Sequence, residues 1–421
     1  MTMNKMHGSE ITWYDHQVKA LRIINNKPNC AFYLDMGLGK TFVGAEQLVR
    51  YNTIKNLVVC QISKIADWTN HFKEFYPEYK VVNLRKTKLN INVTEPTIFI
   101  VNYESVWRKR NNDLRELTDF TLLLDESSLI QNDKAKVTKF ILSLHSSHNI
   151  LLSGTPVSGK YERLWSQMQL LGYDISKTSY NQQYVISEKA KNYQTGFYYT
   201  KILGYKNEDR LKRKLTNYGA VFMKTEEVTD LPEQIDIPVE YEPDSQFKKF
   251  KRDKVLVTRD KEYVGDSAMA YRIYQKVLLA NSKKNALRDI LDSTNDRIVI
   301  FYNYNEELKV IEETLGDRPY GVVNGSQKST DKFKHYNNGV LLVQSRAGAK
   351  GGNYQIANKM ILFSPMESAE DYMQSRKRIH RIGQSSNCFY YEFVGKGSIE
   401  EDIYKAIRKG VDYIDYLFEE D

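Results

Sequence analysis

The chain has 421 residues, 41% of them hydrophobic and 27% charged, which is typical of a soluble globular protein with roughly two or three domains. Its 61 Lys and Arg residues exceed the 53 Asp and Glu residues, and the formal net charge of +8 suits a polyanionic partner as well as plain solubility. The 3 cysteines are too widely spaced for a disulfide framework or a zinc cluster, and neither a signal peptide nor an apolar run of about 18 residues occurs, so we expect a reducing, intracellular compartment.

The first predicted element is an amphipathic helix with a glutamine just before it. Apolar residues recur at helical spacing across residues 18–24, directly after Gln17. An amide placed ahead of a phosphate loop can hydrogen-bond both edges of an adenine ring. An ordinary exposed glutamine is the alternative, and Gln17 alone does not decide between them.

A glycine-rich stretch at residues 34–41 follows an apolar run, 30–33, and precedes a segment with helical spacing, 42–51. Strand, glycine loop and helix in this order predict a phosphate cradle, in which backbone N–H groups and a lysine face an anion and a hydroxyl faces Mg2+. The usual pattern G-x-x-x-x-G-K-[ST] begins with glycine, where this chain has Leu34. The candidate nucleotide-binding residues are Gln17, Met36, Gly37, Leu38, Gly39, Lys40 and Thr41, with Thr41 also a metal ligand.

Further apolar runs at residues 57–60, 98–101, 121–124 and 148–152 predict parallel strands that are buried on both faces. The carboxyl ends of such strands line the ligand crevice of a parallel sheet. The third run leads into Asp125 and Glu126, where one carboxylate can orient Mg2+ and the next can accept a proton from an attacking water. A solvated acidic turn is the alternative. The last run ends in residues 153–156, Ser-Gly-Thr-Pro, which can sense a phosphate but can also form a plain turn.

The second half begins with a region rich in tyrosine and lysine. Residues 158–285 predict helical insertions without regular strands, and 231–242 predict a proline-containing linker. Basic and aromatic residues mix at 193–205 and 247–254, where a solvated helical face and a nucleic-acid track are equally compatible with the pattern. Beyond this region, strands are expected at 297–302, 321–324, 340–344, 360–363 and 388–394, and helices at 306–315 and 371–382.

Three polar residues of the predicted helix 371–382 are candidates for phosphate chemistry. Gln374, Arg378 and Arg381 recur at intervals of four and three residues, which places them on one helix face. An arginine pair that faces a phosphate stabilises charge on the transferring phosphoryl group. A basic surface helix is the alternative.

The order of these motifs closely resembles the SNF2-like branch of superfamily 2 helicases and translocases, over almost the whole chain. The similar segments are Gln17, 35–41, 57–68, 102–104, 125–126, 153–156, 222–232, 298–301, 345–353, 374–384 and 397–401. The resemblance implies an α/β fold of two RecA-like parallel-sheet lobes with helical insertions between them. It also implies an ATPase that uses ATP and Mg2+, with Asp125 orienting the metal, Glu126 activating water, and Arg378 and Arg381 acting when the lobes close.

The implied partner is nucleic acid, most of all duplex or branched DNA held through its phosphates. The expected domains are an ATP-binding lobe at 1–230, with helical insertion from about 158, a linker and helical insertion at 231–290, and a helicase lobe at 291–421. We further expect a monomer from a bacterium or bacteriophage, at work in the bacterial cytoplasm with replication or recombination partners.

Several positions depart from the family pattern. Ser127 and Ser128 stand where Gly or Ala followed by His is usual, Gln61 stands at a common proline, and residues 364–369 replace a Trp-Asn-Pro segment. These departures leave two alternatives open. One is a strand-separating DNA or RNA helicase, and the other is a DNA-binding adaptor whose motor is degenerate.

Overall fold

The computed structural model describes residues 11–157, 159–191, 196–228, 230–259, 261–348 and 352–418. These residues cluster into two compact units, and each unit contains its own sheet. The first unit comprises residues 11–228 together with 413–418, the end of the last helix, and the second comprises 230–412. No helix within the described ranges combines the length and the apolar character needed to cross a membrane.

The first unit alternates strands and helices. Its elements are α1 (Asp15–Ile23), β1 (Asn29–Leu34), α2 (Lys40–Arg50), β2 (Lys55–Cys60), α3 (Ile65–Phe75), β3 (Lys80–Asn83), β4 (Thr97–Asn102), α4 (Tyr103–Val106), β5 (Phe120–Asp125), α5 (Lys136–Leu142), β6 (His148–Ser153), α6 (Trp165–Leu170), α7 (Lys177–Tyr184), β7 (Val185–Lys191), β8 (Tyr198–Tyr205), α8 (Glu208–Asn217) and β9 (Ala220–Met223). Seven of the strands form one parallel sheet in the order β3-β4-β2-β5-β6-β1-β9.

The strands of this sheet are continuous apolar runs because both faces of the sheet are buried. Phe32 of β1 and Val58 of β2 belong to one core cluster with Leu48 of α2 and with Trp68 and Phe72 of α3. Burying each such side chain contributes about 1.5–3 kcal/mol relative to leaving it in water. The central strands are therefore rigid, and the polar residues at their carboxyl ends have fixed positions.

The order β5-β6-β1 determines which polar segments meet at the edge of the sheet. Tyr33 of β1 is paired in register with Ser153 of β6, and Asp125 of β5 is paired with Leu152. The glycine loop, the acidic pair and the segment 153–156 consequently leave three adjacent strands at the same edge. This is the crevice position at which parallel sheets bind ligands.

The second unit repeats the same architecture. Its elements are β10 (Gln234–Tyr241), α9 (Ser245–Asp253), β11 (Val255–Val257), β12 (Glu262–Val264), α10 (Ala268–Leu278), α11 (Lys284–Asp292), β13 (Ile298–Tyr302), α12 (Asn305–Leu315), β14 (Tyr320–Val323), α13 (Asp331–His335), β15 (Val340–Gln344), α14 (Ser345–Gly348), β16 (Lys359–Leu362), α15 (Ala369–Arg376), β17 (Cys388–Gly395) and α16 (Ile399–Phe418). Six strands form a parallel sheet in the order β10-β17-β16-β13-β15-β14. The predicted α/β class with two parallel-sheet lobes is confirmed.

The prediction that residues 158–285 lack strands is wrong. Helices α6 to α10 lie there, but so do two antiparallel hairpins, β7–β8 and β11–β12, and the sheet strands β9 and β10. The expected linker 231–242 is mostly β10, in which Ile235, Ile237, Val239 and Tyr241 alternate with more exposed residues. Pro238 fits this strand because β10 lies at the edge of its sheet, where a missing N–H is tolerated.

Candidate functional site

The glycine loop of the first unit has the backbone geometry of an anion cradle. Gly37 and Gly39 have φ angles of 93° and 77°, in the left-handed region that favours glycine. Gly39 is the N-cap of α2, so the first N–H groups of that 11-residue helix face the loop. Backbone donors and the helix dipole together favour a bound anion at this end.

Lys40, the first residue of α2, folds across the loop. Its ammonium donates hydrogen bonds to the main-chain oxygens of Leu34, at 2.8 Å, and Asp35, at 3.2 Å. A Cβ atom added at Gly154 would lie 3.3 Å from the Lys40 nitrogen, so the backbone that leaves β6 approaches this charge closely. The predicted phosphate loop and the predicted segment 153–156 are therefore in contact.

Gln17 lies against the same loop and is only 4% exposed, which excludes the ordinary exposed glutamine. Its amide nitrogen donates to the main-chain oxygen of Leu38 at 3.4 Å, and its amide oxygen accepts from the N–H of Tyr14 at 3.2 Å. A Cβ atom at Gly39 would come within 2.2 Å of the same amide nitrogen. The adenine-binding role of Gln17 stays a prediction.

The loop is also anchored from its other side, by a contact that the sequence did not indicate. A carboxylate oxygen of Asp35 accepts hydrogen bonds from both the N–H and the hydroxyl of Thr225, each at 3.1 Å. Both residues are buried, and 190 positions separate them in the chain. No local sequence pattern predicts a contact between residues so far apart in the chain.

Asp125 ends β5 and is held by two aromatic residues. The indole N–H of Trp68 donates to its carboxylate at 2.8 Å, and the hydroxyl of Tyr103 donates to its main-chain oxygen at 3.0 Å. Desolvation raises the pKa of the Asp125 carboxyl, while the Trp68 hydrogen bond and the charge of Lys40 act in the opposite direction. The predicted metal-orienting carboxylate is thus close enough to the predicted phosphate-binding lysine for their charges to interact.

Glu126 adopts a left-handed backbone with φ of 58°, which is uncommon for a residue with a side chain. Such conformations cost about 1–3 kcal/mol and cluster at active sites. The Glu126 carboxylate accepts a long hydrogen bond, 3.5 Å, from the hydroxyl of Ser153. The turn therefore directs the predicted base toward the end of β6 rather than along the axis of β5.

Gln167 of α6 is a buried residue that sequence reasoning missed. Its amide oxygen accepts from the hydroxyls of Ser127, at 2.8 Å, and Tyr33, at 3.0 Å, while its amide nitrogen donates to the main-chain oxygen of Pro156 at 2.6 Å. One side chain joins β1, the turn after the acidic pair and the segment 153–156. The serine that departs from the family pattern at position 127 is accordingly hydrogen-bonded within the site.

In the second unit, the predicted helix 371–382 is shorter than expected, and the prediction that Gln374, Arg378 and Arg381 share one helix face is wrong. Helix α15 ends at Arg376, and only Gln374 lies on it, with its amide donating to Glu370 at 3.3 Å. Beyond Arg376 the backbone continues as turns, and the main-chain oxygen of Arg378 accepts from the N–H of Tyr354 at 2.9 Å.

The two arginines nevertheless reach a common neighbourhood. Arg378 is buried and donates to the main-chain oxygen of Gly352 at 3.4 Å, and Arg381 donates to the side-chain oxygen of Asn353. Burial lowers the pKa of Arg381, but a guanidinium stays charged at neutral pH. Gly352 and Asn353 end the motif-like stretch 345–353, of which residues 349–351 lie outside the described ranges.

The altered segment 364–369 begins in a buried polar network. The ammonium of Lys283 donates to the main-chain oxygen of Phe363, the hydroxyl of Ser364 and the carboxylate of Glu400, at 2.5, 2.8 and 2.7 Å. The Ser364 hydroxyl in turn donates to Glu307 at 2.5 Å. Lys283 and Glu400 are both fully buried, so this departure from the family pattern is fixed by charges that water does not screen.

Two family models match successive parts of the chain. A family model described as the SNF2-related domain matches residues 15–293, more than half of the chain. The chain belongs to this family. A second model, the helicase conserved C-terminal domain, matches residues 282–383 of this SNF2-related chain. The predicted family resemblance is confirmed.

Individual relatives of the SNF2-related chain are distant. It is 25% identical over 422 aligned residues to a putative ATP-dependent helicase/translocase, YwqA, of Bacillus subtilis, which covers 88% of this chain and 44% of that protein. It is 24% identical to the ISWI chromatin-remodeling complex ATPase ISW2 of Saccharomyces cerevisiae, with 92% and 39% covered. The chain therefore spans less than half the length of these curated relatives.

Among solved structures, the SWI2/SNF2 ATPase core of Sulfolobus solfataricus in complex with dsDNA gives a TM-score of 0.48. Its sequence is 19% identical, and the alignment covers 100% of this chain and 97% of that chain.

Proposed function

We propose that the chain is an ATP-dependent DNA translocase or helicase of the SNF2-like type. It hydrolyses ATP to ADP and phosphate and uses the cycle to move along, or to remodel, duplex or branched DNA. The observation that carries this proposal is the assembly of the Lys40 loop, Asp125 and Glu126, and the segment 153–156 at the ends of three adjacent strands. Family membership supports the same reaction class.

The residues at this edge fit a nucleotide with Mg2+. The loop N–H groups and Lys40 would hold phosphates, and the hydroxyl of Thr41 with the carboxylate of Asp125 would hold the metal, since Mg2+ prefers hard oxygen donors. Within the described residues no three His, Cys, Asp or Glu side chains cluster around one point, so phosphates and water would complete the coordination. When bound, the metal neutralises charge on the phosphates.

The acidic pair divides the remaining work. Asp125 is fixed by Trp68 and Tyr103, which suits a carboxylate that orients a ligand without moving. Glu126 points toward Ser153 and is placed to take a proton from a water at the edge of the sheet. Gln374, Arg378 and Arg381 are proposed to stabilise charge on the transferring phosphoryl group, as the family resemblance implies.

The proposed partner is duplex or branched DNA, held mainly through phosphates by a chain of net charge +8. The bacterial or bacteriophage source, the cytoplasmic location, the monomeric state and the replication or recombination partners stay predictions.

The deciding experiment is ATP turnover measured alone and with blunt duplex DNA, single-stranded DNA or single-stranded RNA. Stimulation by duplex DNA is expected. Stimulation by RNA alone would favour a strand-separating RNA helicase, and the absence of turnover under every condition would favour the adaptor with a degenerate motor. The hydrogen-bonded state of Ser127 favours an intact motor, because the substituted position leaves its hydroxyl satisfied.

A further inference from the structure

The hairpin β7–β8 of the first unit carries large apolar side chains that nothing in that unit covers. Phe197 is 77% exposed, Tyr198 70% and Tyr199 52%, and Ile202 and Leu203 are exposed as well. The two strands pair only with each other and are not joined to the seven-stranded sheet. Exposed aromatic residues on a free two-stranded ribbon are costly for solubility, so a binding role is the natural reason for them.

The base of the hairpin is anchored to neighbouring residues of the first unit. The hydroxyl of Tyr205 donates to Glu162 at 2.7 Å, and its ring lies 4.8 Å from that of Tyr161. Val185, at the start of β7, is buried. The N–H of Lys206 donates to the main-chain oxygen of Tyr184 at 3.1 Å. The two ends of the ribbon are therefore fixed by contacts with residues 161–162 and 184.

One face of the hairpin combines positive charge with an aromatic ring. Lys191 lies opposite Tyr198, Lys189 opposite Thr200 and Ser187 opposite Ile202, and cross-strand partners share a face. None of these six residues is acidic. Glu188 lies on the other face, where it pairs with Lys201 at 3.2 Å. The lysine-bearing face is therefore complementary to a polyanion.

We propose that this face binds unpaired bases of DNA where single strands join a duplex. The proposal rests on the proposed function and specifies the DNA structure that the chain engages. Lysines alone would serve a duplex, whose phosphates face outward and whose base faces are hidden by stacking. The ring of an exposed tyrosine can stack on a base whose π-face is accessible, and single strands and junctions provide such bases. Lys189 and Lys191 then follow the phosphates beside the base stacked on Tyr198.

The test compares DNA binding by Tyr198→Ala and Tyr198→Phe with that of the unaltered chain. The probes are a blunt duplex and the same duplex extended into a fork with two unpaired arms. Loss of one stacking ring should weaken binding to the fork by about 5- to 150-fold. Affinity for the blunt duplex should stay the same, and Tyr198→Phe, which keeps the ring, should keep the preference for the fork.

Charge variants provide the matched control. Lys189→Ala combined with Lys191→Ala should reduce the ratio of fork to blunt-duplex affinity, whereas Lys201→Ala on the other face should leave that ratio unchanged. Equal weakening on both probes, or no weakening in Tyr198→Ala, would overturn the proposal, and the second result would favour a protein partner. If either of these two results is found and the unaltered chain still shows DNA-stimulated ATP turnover, only the hairpin proposal fails. If DNA neither binds nor stimulates the unaltered chain, the proposed function fails with it.

Discussion

The hydroxyl of Ser127 donates a 2.8 Å hydrogen bond to the side-chain oxygen of Gln167, and the same amide donates to Pro156. Since both side chains are fully buried, neither can turn to water if its partner is removed. The pair joins the turn that follows Glu126 to the segment that follows Ser153. We expect it to hold these two turns in a fixed relation.

Replacement of Gln167 by Leu should leave the hydroxyls of Ser127 and Tyr33 and the oxygen of Pro156 unsatisfied in the core. Each unsatisfied buried group costs about 1–3 kcal/mol, so urea unfolding should show a clear loss of stability, with ATP turnover reduced at saturating ATP. Ser127→Ala removes one donor only and should cost less. A double-mutant cycle should reveal coupling between the two positions, and strictly additive effects would contradict the assigned contact.

Replacement of Lys40 by Ala should remove a charge-assisted contact to phosphate, worth about 1.5–3 kcal/mol, and raise the Kd for ATP while lowering turnover. Fluorescent-nucleotide binding and steady-state turnover measure the two effects.

The variant Glu126→Gln should retain ATP binding but lose about 10²- to 10⁴-fold in turnover, because the amide cannot accept the proton of the attacking water. Single-turnover hydrolysis is the direct measurement. Glu116→Gln, at an exposed position of the same unit, is the control and should behave like the unaltered chain. Unchanged turnover in Glu126→Gln would remove that residue from its proposed role as base.

Arg381→Ala should act on hydrolysis and not on resting nucleotide affinity, because its proposed contribution is to the transition state. The expected loss in kcat is about 10³- to 10⁵-fold, or about 4–7 kcal/mol. Arg252, an exposed arginine of the second unit, supplies the control variant Arg252→Ala. Near-normal DNA-stimulated kcat in Arg381→Ala would refute the proposed role.

Lys283→Met should destabilise the second unit by about 3–5 kcal/mol, because it leaves the buried carboxylate of Glu400 without its cationic partner. The double variant Lys283→Met/Glu400→Gln should recover part of the loss, since the amide that replaces the Glu400 carboxylate carries no charge. Lys284→Met removes the neighbouring lysine, whose ion pair with Glu313 is exposed, and should cost less than about 1 kcal/mol. Equal effects of the two lysine variants on the unfolding midpoint would show that the buried ion pair contributes no more to stability than the exposed one.

DNA affinity should depend steeply on salt and weakly on base sequence. A footprint of about 6 to 10 phosphates predicts a loss of about 10³- to 10⁵-fold in affinity between about 50 and 200 mM salt. Fluorescence anisotropy with two duplexes of unrelated sequence measures both dependences. A flat salt response, or a strong preference for one sequence, would argue against binding through phosphates.

The parts of the fold that the sequence predicts are those set by local chemistry. Strand β5 is a continuous apolar run that ends in Asp125, and β1 leads directly into the glycine loop. In both places the apolar run predicts the strand, and the polar motif that follows predicts where the strand ends. Strand β10 resembles a linker in the sequence because its apolar residues are separated by Asp236, Pro238 and Glu240, which are common in loops.

What the sequence did not predict depends on partners that are far apart in the chain. Gln167 meets Ser127 across 40 positions, and Trp68 meets Asp125 across 57. Neither side chain has a local pattern that separates it from an ordinary helix residue. The hydrogen bond from Tyr354 to the main-chain oxygen of Arg378, just beyond the end of α15, is likewise a contact that helix periodicity does not reveal.

The hydrogen bonds between Asp35 and Thr225 affect the order in which contacts of the first sheet can form during synthesis. Strand β1, which carries the phosphate loop, is flanked by β6 and β9, both of which come later in the chain. During synthesis the ribosome must deliver the chain as far as Thr225 before Asp35 finds its partner. Contacts of such high sequence separation form slowly, so the nascent chain exposes the unpaired edge of β1 in the meantime. The glycine loop accordingly gains its anchor at Asp35 only after translation has passed Thr225.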